Sequence, residues 1–200
     1  MRIFAVLIFI SLAMAAPSMA EDNVPGPQGW VNDFANVISQ EYRDKLSSLI
    51  SEVEQKTSAE IAVVTVSSIA PYDEKQYALK LFDSWKVGKK GKDNGIIVLL
   101  GIKERRWRIE TGYGMEGLFP DGVCGEIGRN LMVPYLKEAD YSMALYSGVT
   151  AIADRIARDA NVSFDSLKGI KVNTSSAAMA DKDIAGVVIF FMFLLFWSIP

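Results

Sequence analysis

The sequence predicts a small α/β/α sandwich, in which a mixed sheet of three or four strands carries helices on both faces, plus a C-terminal transmembrane helix. Three observations carry this reading. Residues 60–66 and 95–100 hold short, branched, continuously apolar runs at 61–64 and 96–100, as strands do when both faces are covered. Segments with apolar residues at helical spacing stand before, between and after these runs. After the second run comes a charged tip, Lys103-Glu104-Arg105-Arg106, and then an alternating segment. There Trp107, Ile109 and Thr111 face one way and Arg106, Arg108 and Glu110 the other, which reads as a hairpin.

Taken in order, residues 1–20 read as a secretory signal: Arg2, an apolar run, then Ser18-Met19-Ala20 with small residues at the cleavage positions. Residues 21–29, with Pro25 and Pro27, are a polar linker, and the folded domain is expected over 30–160. Residues 30–38 are apolar around Asp33. Ser39 is placed to cap a first helix over about 40–56, whose buried stripe is Leu46, Leu49, Ile50 and Val53. The strand at 60–66 follows. After the loop containing Pro71, a second helix over about 74–85 buries Tyr77, Ala78, Leu81, Phe82 and Trp85. A flexible basic loop, 88–94, leads into the hairpin. Val123, Ile127, Leu131 and Tyr135 line the next helix, which Pro134 should bend or end. Leu145, Val149, Ile152, Ala153 and Ile156 line the last one. Residues 161–183 are a polar tether.

Residues 184–200 are uncharged and apolar. The stretch 184–199 would rise about 24 Å as a helix, against a bilayer core of about 30 Å. Either residues 177–180 complete the span or the chain continues past Pro200. A signal at one end and a span at the other place the domain outside the cytoplasm, anchored to the lipid bilayer.

Composition removes several chemistries. The chain has 200 residues, 21 basic and 24 acidic, for a net charge of -3, so no strong field favours nucleic acid. There is no histidine, which excludes Ser-His-Asp and Cys-His nucleophile systems and His-bearing zinc sites. The single cysteine, Cys124, excludes an internal disulfide.

The helix between the first two strands makes a parallel crossover, so both strands start at one edge. The hairpin returns to that edge. Ser58, Glu60, Asp93, Asn94 and the turn at 112–116 should therefore be neighbours. Calcium takes 6–8 oxygens from carboxylates, amides, carbonyls and water. Asp93, Asn94, Glu116 and Asp121 are the candidate ligands around one turn, with backbone carbonyls from the 112–116 turn. Asp33 joins them if residues 34–38 run back along the sheet. The plainer reading is surface chemistry: Asp-Asn-Gly is a turn sequence and Asp121 a helix cap.

Gly112-Tyr113-Gly114-Met115-Glu116-Gly117 has the spacing of a dinucleotide fingerprint. It lacks the following helix and parallel strand, Pro120 interrupts it, and Glu116 would repel a pyrophosphate, so no nucleotide is expected. Cys124 to Arg129 is one residue too short for a phosphate-cradling cysteine loop, and a part-buried free thiol is the better reading. Lys86, Lys89, Lys90 and Lys92 form a basic cluster that could attract phosphate or anionic lipid headgroups, although a solvated loop is the default.

Several pieces together resemble the TPM domain family. They are Val31-Asn32-Asp33-Phe34-Ala35, the strand from Glu60, Ala78-Leu79-Lys80-Leu81-Phe82-Asp83-Ser84-Trp85, Asp93-Asn94-Gly95, Arg105-Arg106 and Gly112-Tyr113-Gly114-Met115-Glu116. Their order and spacing, not any one piece, carry the likeness. The resemblance implies an α/β/α sandwich and a divalent cation, calcium or else magnesium, at an acidic loop site. It also implies acid phosphatase activity, as proposed for a plastid relative that serves photosystem repair. An animal relative is an accessory subunit of a receptor channel. Two functions are therefore expected. One is a cation-binding, membrane-tethered accessory module acting on unidentified membrane proteins. The alternative is a metal-dependent acid phosphatase acting on phosphomonoesters, with Asp93 or Asp33 as the base.

Overall fold

The computed structural model describes residues 24–169. The expected signal, the membrane segment and most of the tether lie outside the described residues. Among the described residues no helix is long and apolar enough to cross a membrane.

The sheet has four strands in the order β1-β2-β3-β4. They are β1 (Val31–Asp33), β2 (Glu60–Val66), β3 (Gly95–Gly101) and β4 (Arg106–Thr111). β1 and β3 run parallel to β2, and β4 closes the hairpin antiparallel to β3. The apolar strands alternate as a doubly covered sheet must. Ile61, Val63, Ile96, Val98 and Ile109 face one core, while Ala62, Val64, Val66, Ile97 and Leu99 face another.

The larger core is closed by α1 (Gln40–Thr57) and α5 (Tyr141–Asp159). Leu46, Leu49, Ile50 and Val53 of α1 are buried there as the spacing predicted. Ser39 stands at the N-cap of α1, yet its side chain makes no capping bond; its N–H donates to Ser142 Oγ at 2.9 Å. α2 (Glu74–Trp85) covers the opposite face. Asp73 starts it with a capping box, its Oδ1 accepting from Gln76 N at 2.7 Å, which satisfies an otherwise orphaned donor.

Pro134 does not end its helix. α3 (Asp121–Ile127) passes through a π-helical turn, Gly128–Met132, into α4 (Val133–Lys137). The wider turn and the position of Pro134 in the first turn of α4 spare the clash that proline causes inside a regular helix. Gly128 lets the Trp107 ring press on the helix: a Cβ there would stand 1.9 Å from the ring.

Both ends of the domain reach further than the sequence suggested. In the expected linker, Val24 packs on the α2 side and Pro25 O accepts from Trp85 Nε1 at 2.8 Å. In the expected tether, Phe164 is buried, and Glu52 of α1 accepts from Asp165 N at 2.6 Å and Ser166 N at 2.9 Å. Proline and polar composition concealed these contacts, because single anchoring side chains make them.

Candidate functional site

The edge where β2 and β3 begin gathers the residues the hairpin argument placed there. Glu60 N donates to Asn94 O at 3.1 Å, and Gly114 N donates to Asp93 O at 3.1 Å. Asn94 is buried and acts as a staple. Its Oδ1 accepts from Lys89 N at 2.9 Å, and its Nδ2 donates to Ser58 O at 2.8 Å. Both ends of the amide are thus committed to the backbone.

The glycines serve close approach. A Cβ on Gly112 would lie 2.2 Å from Asp93 O, and one on Gly114 would lie 1.9 Å from Lys92 O. A short 3-10 turn, Tyr113–Met115, follows. Within it Tyr113 O accepts from Glu116 N, and just before it Gly112 O accepts from Met115 N.

Beside this turn Lys89 is held between two carboxylates, with Nζ 2.6 Å from Glu54 Oε1 and 2.5 Å from Glu60 Oε1. Glu54 and then Glu60 raise the Lys89 ammonium above its ordinary range. Glu54 is lowered in turn, first by Lys89 and then by Trp30 Nε1, which donates at 2.9 Å. One member of the basic loop is therefore neutralised internally. Sequence reasoning missed this clamp, because Glu54 lies on α1, far from the loop in the chain.

The other candidates divide. Asp93, with φ 49, and Glu116 carry exposed side chains on adjoining turns. Asp121 is the first residue of α3, with Pro120 at the cap position. Its Oδ1 accepts from Arg108 Nη2 at 3.0 Å, and Arg108 Nε reaches Glu110 Oε2 at 2.7 Å.

Asp33 is at the opposite end of the sheet. It pairs in register with Thr65, whereas Gly95, next to Asn94, pairs with Glu60. Five residues of strand separate them, about 16 Å. Residues 34–38 do not run back along the sheet, because the Asp33 carboxylate turns the chain into α1. Oδ1 accepts from Val37 N at 3.0 Å and Thr65 Oγ1 at 2.5 Å; Oδ2 accepts from Ile38 N at 2.9 Å and Arg43 Nη1 at 2.9 Å. The side chain is 3% exposed.

The five expected ligands therefore do not converge on one ion. Asp33 is remote and satisfied, Asn94 is stapled and Asp121 is paired with Arg108. Among the described residues no group of three or more His, Cys, Asp or Glu side chains is placed to hold a metal. Cys124 is buried, and burial pushes its thiol up to about 11, the reverse of an activated nucleophile.

The profile of the TPM domain matches residues 31–155. The chain belongs to the TPM domain family. This TPM domain is similar to the N-terminal domain of a protein from P. gingivalis, solved by NMR. The two share 30% identity over 68% of this chain and 86% of that one, with a TM-score of 0.63. The N-terminal domain of a Corynebacterium glutamicum protein matches at 20% identity over 72% of this chain and 90% of its own, TM-score 0.51. The BA42 protein of Bizionia argentinensis matches at 19% over 60% and 82%, TM-score 0.52. These last two share the fold. Comparison with the curated proteins finds no match. Of the five expected ligands, Asp93 and Glu116 are the two whose side chains are exposed and make no ion pair among the described residues.

Proposed function

We propose that this TPM domain is an exported, membrane-tethered accessory module that works by binding and not by hydrolysis. The reading rests above all on Asp33. A general base must be free to take a proton, and this carboxylate already accepts from two backbone N–H groups, Thr65 and Arg43. Asp93, the other candidate base, has no orienting hydrogen bond to its side chain among the described residues. The signal-like residues 1–20 and the apolar residues 184–200 support export and tethering to the bilayer; unidentified membrane proteins are the partners this predicts.

Calcium or magnesium, in this reading, meets Asp93 and Glu116 with water completing its shell. Two carboxylates make a weak site, in the range of about 0.1–1 mM seen in extracellular modules. Calorimetry of the full chain with each chloride is expected to show this heat, and to lose it in Asp93→Asn/Glu116→Gln. Turnover of 4-nitrophenyl phosphate should stay at the buffer rate with either ion. Turnover that disappears in Asp93→Asn would overturn the accessory reading in favour of the phosphatase.

A further inference from the structure

A groove of about 320 Å³ opens between the end of β3, the hairpin tip and the corner joining α4 to α5. Leu100, Ile102, Trp107, Val133 and Leu136 make its walls. Arg105 and Lys137 stand on its border, both exposed, and the Tyr141 ring closes one side. No carboxylate lines it. Neighbouring arginines are paired, Arg106 with Glu74 and Arg108 with Glu110 and Asp121. No ion pair among the described residues uses Arg105 or Lys137.

The backbone around the groove departs from regularity on three sides. The π-helical turn Gly128–Met132 delivers Val133 and Leu136 to one wall. Arg105 (φ 52) and Ala139 (φ 57) both take the left-handed conformation without being glycine, and both border the groove. At a helix end glycine usually supplies that conformation. Strained backbone and π turns gather at functional sites more often than elsewhere. An apolar cleft with a few convergent polar groups is the ordinary form of a small-molecule site.

We propose that this groove binds an organic carboxylate with an aliphatic body, a medium-chain fatty acid in size. The tail lies against Trp107 and Leu136, and the carboxylate sits between Arg105 and Lys137. The planar guanidinium fork suits a carboxylate, and two unpaired cations on an apolar cleft favour an anion with a tail over a neutral apolar molecule. The inference stands apart from the cation pair and from the tethering proposed above.

Sodium octanoate, octan-1-ol and octyl phosphate, each below its micelle concentration, would be titrated into the full chain by calorimetry. Octanoate should bind saturably at one per chain. It should bind at least tenfold more weakly to Arg105→Gln/Lys137→Gln, and normally to Lys75→Gln. Both replaced residues are exposed, so an unchanged melting midpoint will show that the double variant is folded. The proposal is overturned if octanoate gives no saturable heat, or if the double variant binds it as well as the parent. Octanol binding as tightly as octanoate, or binding by octyl phosphate alone, overturns it equally.

Discussion

Replacing Asp33 removes four interactions at once, and two of them, to Thr65 and Arg43, reach other elements of the fold. The carboxylate ties the end of β1 to Thr65 on β2, turns the chain through Val37 and Ile38, and reaches Arg43 on α1. A buried, charge-assisted carboxylate of this kind is costly to lose because its donors are left behind unpaired. Asp33→Ala is expected to destabilise the domain by about 2–4 kcal/mol, read from the urea midpoint by tryptophan fluorescence. Asp33→Asn, which keeps an acceptor, should cost less. A loss under about 0.5 kcal/mol, the level of an ordinary surface substitution, would show that the carboxylate organises nothing.

At the level of elements, the segment at 163–167 hangs on Glu52 of α1. Burial pushes that carboxyl up, but Lys56 and the N–H groups of Ser166 and Asp165 outweigh it and hold it at about 2, against an ordinary 4.5. A carboxyl lowered on folding stabilises the fold fully above its unfolded value and loses that contribution as pH falls through the folded one. Glu52→Gln should thus cost about 1–3 kcal/mol at neutral pH, and the gap to the parent should close between pH 4.5 and 2. Thermal melts across that range would measure it, and a gap independent of pH would refute the ionic account. None of this was legible beforehand, because Glu52 lies outside the apolar stripe of α1 and its partners Asp165 and Ser166 are far along the chain. The longer elements were legible for a physical reason: β2, β3 and α1 bury continuous or periodic apolar sets, and pattern alone exposes them. β1 was hidden because three residues ending in an aspartate carry no period. The π turn was hidden because nothing in the spacing of Val123, Ile127, Leu131 and Tyr135 distinguishes it from a regular helix. At the candidate site, the return of the hairpin to its own edge foretold that Asp93-Asn94 meets residues 112–116. It did not foretell that the Asn94 amide would be committed to Lys89 N and Ser58 O, or the Asp33 carboxylate to Val37, Ile38, Thr65 and Arg43, since composition and period carry no trace of such side-chain bonds.

For the whole molecule, the two faces of the sheet are unequally covered. α1 and α5, with α3 and α4, pack on one, while α2 and the N-terminal segment from Val24 pack on the other. Phe34 and Trp85 meet edge-on at 6.5 Å, and Trp85 also holds Pro25. At the far end Phe164 seats in the larger core with 3% exposure. A chain ending at residue 160 should be less stable than one ending at residue 169 by about 2–4 kcal/mol, the scale of deleting a buried phenylalanine. Equal melting temperatures for the two would mean that residues 163–167 merely rest on the surface. The clip they form has a mechanical meaning as well. A pull arriving from residue 170 onward meets Glu52, Lys56 and Phe164 before it reaches α5. Short hydrogen bonds to two charged groups, Glu52 and Lys56, and a single aromatic plug must give way first, so the load is shed there as a strain relief sheds it on a cable, and the sheet with its candidate edge is spared.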